Sequence, residues 1–266
     1  MSLDLSSVNA KLAWAEEHAN ALRAEVREWT HSNPIETIRD GEKRGNSAMV
    51  RFIAKFVKQP PLERWGLMFG DFIHNTRSAL DHFVYAIAHH ESGEIPLPDR
   101  AQKRLGFPIC DSPAEWRSRC FIIDPLVPAT RVRIEGVQPY HRPQIHALPK
   151  LLALLRDFSN VDKHRLLAPA VCTLHKAAVH LHAPEGMRCS FAHSAHTGEV
   201  VDGTVLHTAI FVFCGDPPSE IGYNYDAELF VGFAHQPGPA GAGTSDVLTL
   251  TNLLLGEARE IVKLLS

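Results

Sequence analysis

No apolar run in this 266-residue chain approaches the roughly 18 residues that a membrane span needs. The first residues carry Asp4 and Lys11 and no apolar h-region, so the sequence reads without a secretory signal and points to the cytoplasm. Five cysteines (Cys110, Cys120, Cys172, Cys189 and Cys214) form an odd, scattered set with no CxxC pair. Such a set fits reduced thiols rather than a disulfide framework. There is no P-loop, GxGxxG, GxSxG or HExxH, which removes the common phosphate-cradling, nucleophile-elbow and zinc-protease readings. A formal net charge of -3 argues against a general coat for duplex DNA. Hydrophobic residues make up 45%, enough for a sizeable core.

The charge is unevenly spread. Residues 1–99 carry a net -3, residues 100–165 a net +6 and residues 166–266 a net -6. A basic belt inside an acidic chain is either a set of solvated loop charges or a strip facing phosphate or nucleic acid.

Periodicity predicts an α+β fold. Leu5, Val8, Leu12, Ala15, Ala19, Leu22, Val26 and Trp29 alternate steps of three and four, an a/d seam that needs a second helix. A homodimer through helices is the expected pairing, with the C-terminal helix as the intramolecular alternative. Asn33-Pro34 ends this helix, which spans 1–32. Ile35 to Arg39, an Asp40-Gly41 turn signal and Ala48 to Val57 predict a β-hairpin over 33–60. A motif helix follows over 62–92. Residues 93–169 read as a loop-rich basic segment, with a short helix starting at Ser112-Pro113 and a second internal helix from Ile145 to Phe158, Pro149 in its first turn. Strand-like runs over 170–236 predict one antiparallel sheet, and Thr244 to Leu265 a C-terminal amphipathic helix. The whole is expected to be a single domain.

The motif helix contains "GDFIHNTRSALDHFVYAIAHH", residues 70–90. At about 100° per residue, Phe72, Ile73, Thr76, Ala79, Leu80, Phe83, Val84, Ala86 and Ile87 take one side. Asp71, His74, Asn75, Arg77, Ser78, Asp81, His82 and Tyr85 take the other. Exposed helical faces favour long, good helix formers, whereas this one holds short groups that fix hydrogen bonds, ligate or shuttle protons. It is either a site or a buried polar seam with Arg77 and Asp81 as an i, i+4 pair.

"RSALDH" (Arg77 to His82) resembles the R-x4-H signature of the HEPN ribonucleases, all-helical and commonly dimeric proteins of toxin and phage-defence systems. That likeness implies metal-independent RNA cleavage at a site where two copies meet. The sheet predicted from Ala170 onward departs from that family. The wider order "GDFIHNTRSALDH", "FPI" (107–109), "QPY" (138–140) and "NVDKHR" (160–165) resembles a widespread family of bacterial and phage proteins. It implies kinship and no activity.

The chemistry expected from the first likeness is coherent. RNA cleavage by the 2′-hydroxyl needs proton transfer, which His82 and His164 can supply, and a permanent cation on the phosphorane, which Arg77 can supply. Asp81 orients Arg77 or His82, and Asp162 can orient an imidazole. Asn75, Ser78, Lys163 and Arg165 are the expected substrate contacts, with RNA as partner. Asp71, His74, Asp81, His82, Asp162 and His164 are types that suit a divalent cation, but no metal signature connects them, and neither metal nor cofactor is expected. The alternative is a non-enzymatic binding or regulatory protein in which the same helix face is a structural or recognition seam. In that case the residues 160–165 are a solvated helix end.

Overall fold

The computed structural model describes residues 3–93, 97–141, 151–182, 188–215, 222–233 and 246–266, with only the backbone of 172–182 and 222–228. The fold is α+β, and the chain divides into two compact units. The first comprises Met1–Ala24, Glu63–Ala168 and His235–Ser266; the second comprises Glu25–Leu62 and Pro169–Ala234.

The first unit is helical. Helix α1 (Ser6–His31) buries its a/d seam, with Val8, Ala15 and Leu22 fully enclosed. Two side-chain pairs tie it to α7 (Val247–Leu265) of the same chain. Glu16 takes a forked ion pair from Arg259 at 2.7 and 3.3 Å. Seven residues further along α1, Arg23 bonds Asn252, seven residues back along α7. Equal heptad steps in opposite directions define an antiparallel pair. The seam that motivated an expected homodimer is thus filled from within the chain. Asp246 caps α7 by accepting the Thr249 N–H at 2.9 Å, so the helix starts at Val247, three residues past the expected Thr244.

Helix α2 (Leu62–Glu91) is the motif helix, and Trp65, Phe69, Phe72, Leu80 and Phe83 form its buried side. Each such side chain contributes about 1.5–3 kcal/mol by leaving water. The basic middle is more helical than its composition predicts: α3 (Asp99–Gln102), α4 (Pro113–Arg119), α5 (Pro128–Gly136) and α6 (Leu151–Asp162). The start expected at Ser112-Pro113 is observed, with Ser112 Oγ accepting the Glu115 N–H at 3.2 Å. Helix α5 is started from outside, where Glu91 accepts Val127 N–H at 2.8 Å and the Thr130 hydroxyl at 2.5 Å. Phe158 of α6 meets Phe69 edge-on at 5.2 Å, which locks α6 onto α2. The expected helix start at Ile145 and Pro149 lies outside the described residues.

The second unit is β. Strands β1 (Ile35–Arg44) and β2 (Ser47–Phe56) form the predicted hairpin, but the turn is at Gly45-Asn46 rather than Asp40-Gly41. Asp40 and Gly41 stay in the ladder because Asp40 sits opposite Arg51 and pairs with it at 2.5 Å. Gly45 takes the left-handed φ of 55° that the turn demands. The remaining strands are β3 (Ala170–His182), β4 (Cys189–Ala195), β5 (Gly198–Glu199), β6 (Val205–Phe213) and β7 (Gly222–Gly232). Instead of one sheet they make two, ordered β1-β2-β6-β4 and β5-β3-β7, both antiparallel. The hairpin and β6 join because their inward residues match. Ala48, Val50 and Phe52 alternate down β2 and face Phe211, Ala209 and His207. No helix among the described residues is long and apolar enough to cross a membrane.

Candidate functional site

The polar arc of α2 is engaged at two levels. At about 100° per residue, Gly66, Gly70, Arg77 and Asp81 fall on one stripe. The lower half of that stripe has no side chains and the upper half has charges.

At the lower level, a Cβ on Gly66 would overlap the Leu167 carbonyl, and one on Gly70 would overlap the Asp162 carboxylate. The two glycines therefore let the segment after α6 lie against α2. Asp162, half-buried there, has its carboxyl pushed above the ordinary 3.8 by burial and then by the Asp71 charge, with His74 opposing. Asp71 and His74 are exposed. Asp162, Asp71 and His74 make an acid–base cluster open to solvent. Lys163, His164 and Arg165 follow it and are exposed. Their backbone turns on Val161, whose carbonyl accepts from His164 N and Arg165 N at 3.0 and 2.9 Å.

The upper level is closed. Arg77 Nη2 donates to the Phe107 carbonyl at 2.6 Å and lies 2.9 Å from Asp81 Oδ1. That same Oδ1 accepts the Phe107 N–H at 2.8 Å. One ion pair thus holds both polar backbone groups of a fully buried residue. The fork points inward, since even Nη1 is buried, without a hydrogen-bond partner among the described residues. Burial pulls the guanidinium below its ordinary value and Asp81 opposes the shift, while an Arg keeps its charge. Gly106 also lies close, since a Cβ there would stand a tight 3.1 Å from Asp81 Oδ1.

The clamp continues into the rest of the chain. Cys110 N–H donates to Gln138 Oε1 at 2.9 Å, and Gln138 Nε2 donates to the Ile134 carbonyl at 3.0 Å. Gln138 is fully buried, so all of its bonds are internal. Phe107 is thereby tied to α2, and Cys110, three residues on, to Gln138 just past the end of α5. Burial first, and Glu115 second, push the Cys110 thiol up to about 11, which leaves it inert.

The remaining candidates are dispersed. Asn75 is buried, its Nδ2 donating to the Asp71 carbonyl at 2.8 Å and its Oδ1 accepting from Lys11 Nζ at 3.1 Å. Ser78 and His82 are half-buried. Five residues separate Arg77 from His82, which puts them roughly 140° apart around the helix. Gly70 and Asp81, the two levels' contacts, are roughly 16 Å apart along the axis. Arg77 and His82 thus leave α2 on different sides, and Asp162 lies at the level of Gly70. His164 joins the lower level only by sequence adjacency to Asp162. Among the described residues, no group of three or more His, Cys, Asp or Glu is placed to hold a metal ion.

Sequence reasoning missed the two glycines and the Phe107 backbone. The glycines left a signal, because Gly inside a helix costs about 1 kcal/mol against Ala and asks for a close approach in return. Phe107 left none, since a backbone acceptor carries no residue identity.

Comparison of the chain with family models, with curated proteins and with solved structures gives no match.

Proposed function

We propose that this chain is a non-enzymatic recognition protein in which the upper stripe of α2 is a structural seam and the exposed residues at its lower end meet the ligand. The observation that carries the reading is the engagement of Arg77 by Phe107 and Asp81. A cation that clamps a phosphorane must be free to meet it, and this fork is turned inward onto backbone. RNA is the ligand that fits the exposed Lys163, His164 and Arg165 within a belt of net +6. The α1 seam is buried within the single chain, so the reading needs no second copy. The free described cysteines agree with a reducing cytoplasm.

The test uses purified protein and single-stranded RNA, with and without EDTA. The RNA stays intact, binding weakens steeply with salt, and Lys163→Ala with Arg165→Ala abolishes it. RNA cleavage that persists in EDTA and vanishes in His82→Ala restores the metal-independent ribonuclease instead.

A further inference from the structure

A groove of about 530 Å³ lies between the segment around α3 and the short 3-10 turn Cys120–Ile123. We infer that this groove binds a nucleotide: the base against Phe121 and the phosphate on Arg100 and Arg104. The site shares no residue with 163–165 and stands whether or not those residues bind RNA.

The volume falls within the range of small-molecule sites. Leu97, Pro98 and Pro125 supply rigid apolar walls. Phe121 lines the groove with 51% of its surface exposed, while its neighbour Ile123 is fully buried and fixes the turn from below. An aromatic ring held rigidly in the open is a stacking platform for any base.

The charges define the other half of the ligand. Arg100 and Arg104 are four residues apart, one turn of the helical path that Leu105 N–H extends by bonding the Ala101 carbonyl at 3.0 Å. Both line the groove, both are exposed, and neither forms an ion pair among the described residues. The one carboxylate among the described lining residues, Asp124, is answered by Arg131 at 3.2 Å. The rim therefore keeps unneutralised positive charge beside an apolar floor. Planar forks that match phosphate oxygens, next to an exposed ring, fit a phosphate joined to a flat heterocycle. A free nucleotide and the phosphorylated end of a single strand share that chemistry.

The test is calorimetric titration of the full chain at low salt with AMP, adenosine, inorganic phosphate, a 5′-phosphorylated oligonucleotide and an acidic peptide containing Phe. AMP is expected to bind more tightly than adenosine or phosphate. Phe121→Ala and Arg104→Ala are each expected to weaken it about tenfold. Both side chains are exposed, so melting temperatures should stay at the wild-type value. Lys163→Ala should leave AMP binding unchanged, which separates this site from the RNA reading. Oligonucleotide binding tighter than AMP identifies a strand end as the source, and equal affinity identifies the free nucleotide. The inference is overturned by no AMP binding at millimolar concentration, by affinity indifferent to both variants, by phosphate alone binding as well, or by the peptide outcompeting AMP.

Discussion

The two ends of the α2 stripe use the same kinds of residue for opposite purposes. At the upper end, Arg77 and Asp81 turn inward and satisfy the amide and carbonyl of Phe107. At the lower end, Gly66 and Gly70 admit a second segment, and the carboxylates and imidazole beside it stay in reach of water. What separates the two is the partner. A backbone segment with both polar groups buried demands a donor and an acceptor, and an i, i+4 Arg–Asp pair supplies both. A helix end that brings its own Asp162 demands only space. Polar residues on a helix face therefore announce that something is bound there, and the bound thing can be the protein itself.

Leu80→Ala sets the largest effect and the yardstick for the others. It empties a fully buried position and should cost about 2–5 kcal/mol in denaturant unfolding. Arg77→Ala comes next if the upper end is architecture. It leaves the Phe107 carbonyl and the Asp81 charge without their partner, a loss of about 2–3 kcal/mol after allowance for the 21% and 36% exposure of the two side chains. His82→Ala, from the same motif, should stay within about 0.5 kcal/mol. An effect for Arg77→Ala as small as that for His82→Ala would mean that the upper end is not architecture.

Leu12→Glu probes the same unit away from α2. It places a charge in a seam that is 6% exposed at this residue, so melting temperature should fall while light scattering reports an unchanged mass. A halved mass would mean that the seam joins two copies.

The smallest effect sharpens the lower end. Asp162 has a carboxyl raised above 3.8, so its protonated form is the one the fold favours. Its contribution to stability is present in full below the unfolded value and is lost as pH rises through the folded one. Asp162→Asn should therefore melt higher than wild type at pH 7, with the gain vanishing below 3.8. A variant that melts lower at pH 7 would mean that the carboxylate makes a favourable contact there.

Elements with strong periodicity were legible in the sequence. The α1 seam and the apolar side of α2 follow from spacing alone, the hairpin from its strand-like runs and the Ser112 start from cap composition. The hairpin turn was not, because Asp40-Gly41 has turn composition and only the cross-strand pair with Arg51 keeps it in the ladder. The division of the strands into two sheets was hidden for a related reason. Which strand β6 joins depends on facing residues far apart in sequence. The polarity of the α2 face was legible, but the partner of Arg77 was not. A motif of Arg and His names side chains, and the groups that answer Arg77 are the backbone of Phe107 and the carboxylate of Asp81, one of them invisible to any motif.

Hydrogen exchange at the Phe107 amide tests the central claim most directly. If Asp81 holds that N–H, the amide is strongly protected in the wild-type protein. Asp81→Ala then accelerates its exchange while amides in the middle of α2 and α7 remain protected. Fast exchange at Phe107 in the wild type, or protection there that Asp81→Ala leaves intact, would contradict a clamp and return Arg77 and Asp81 to the pool of groups free to act on a ligand.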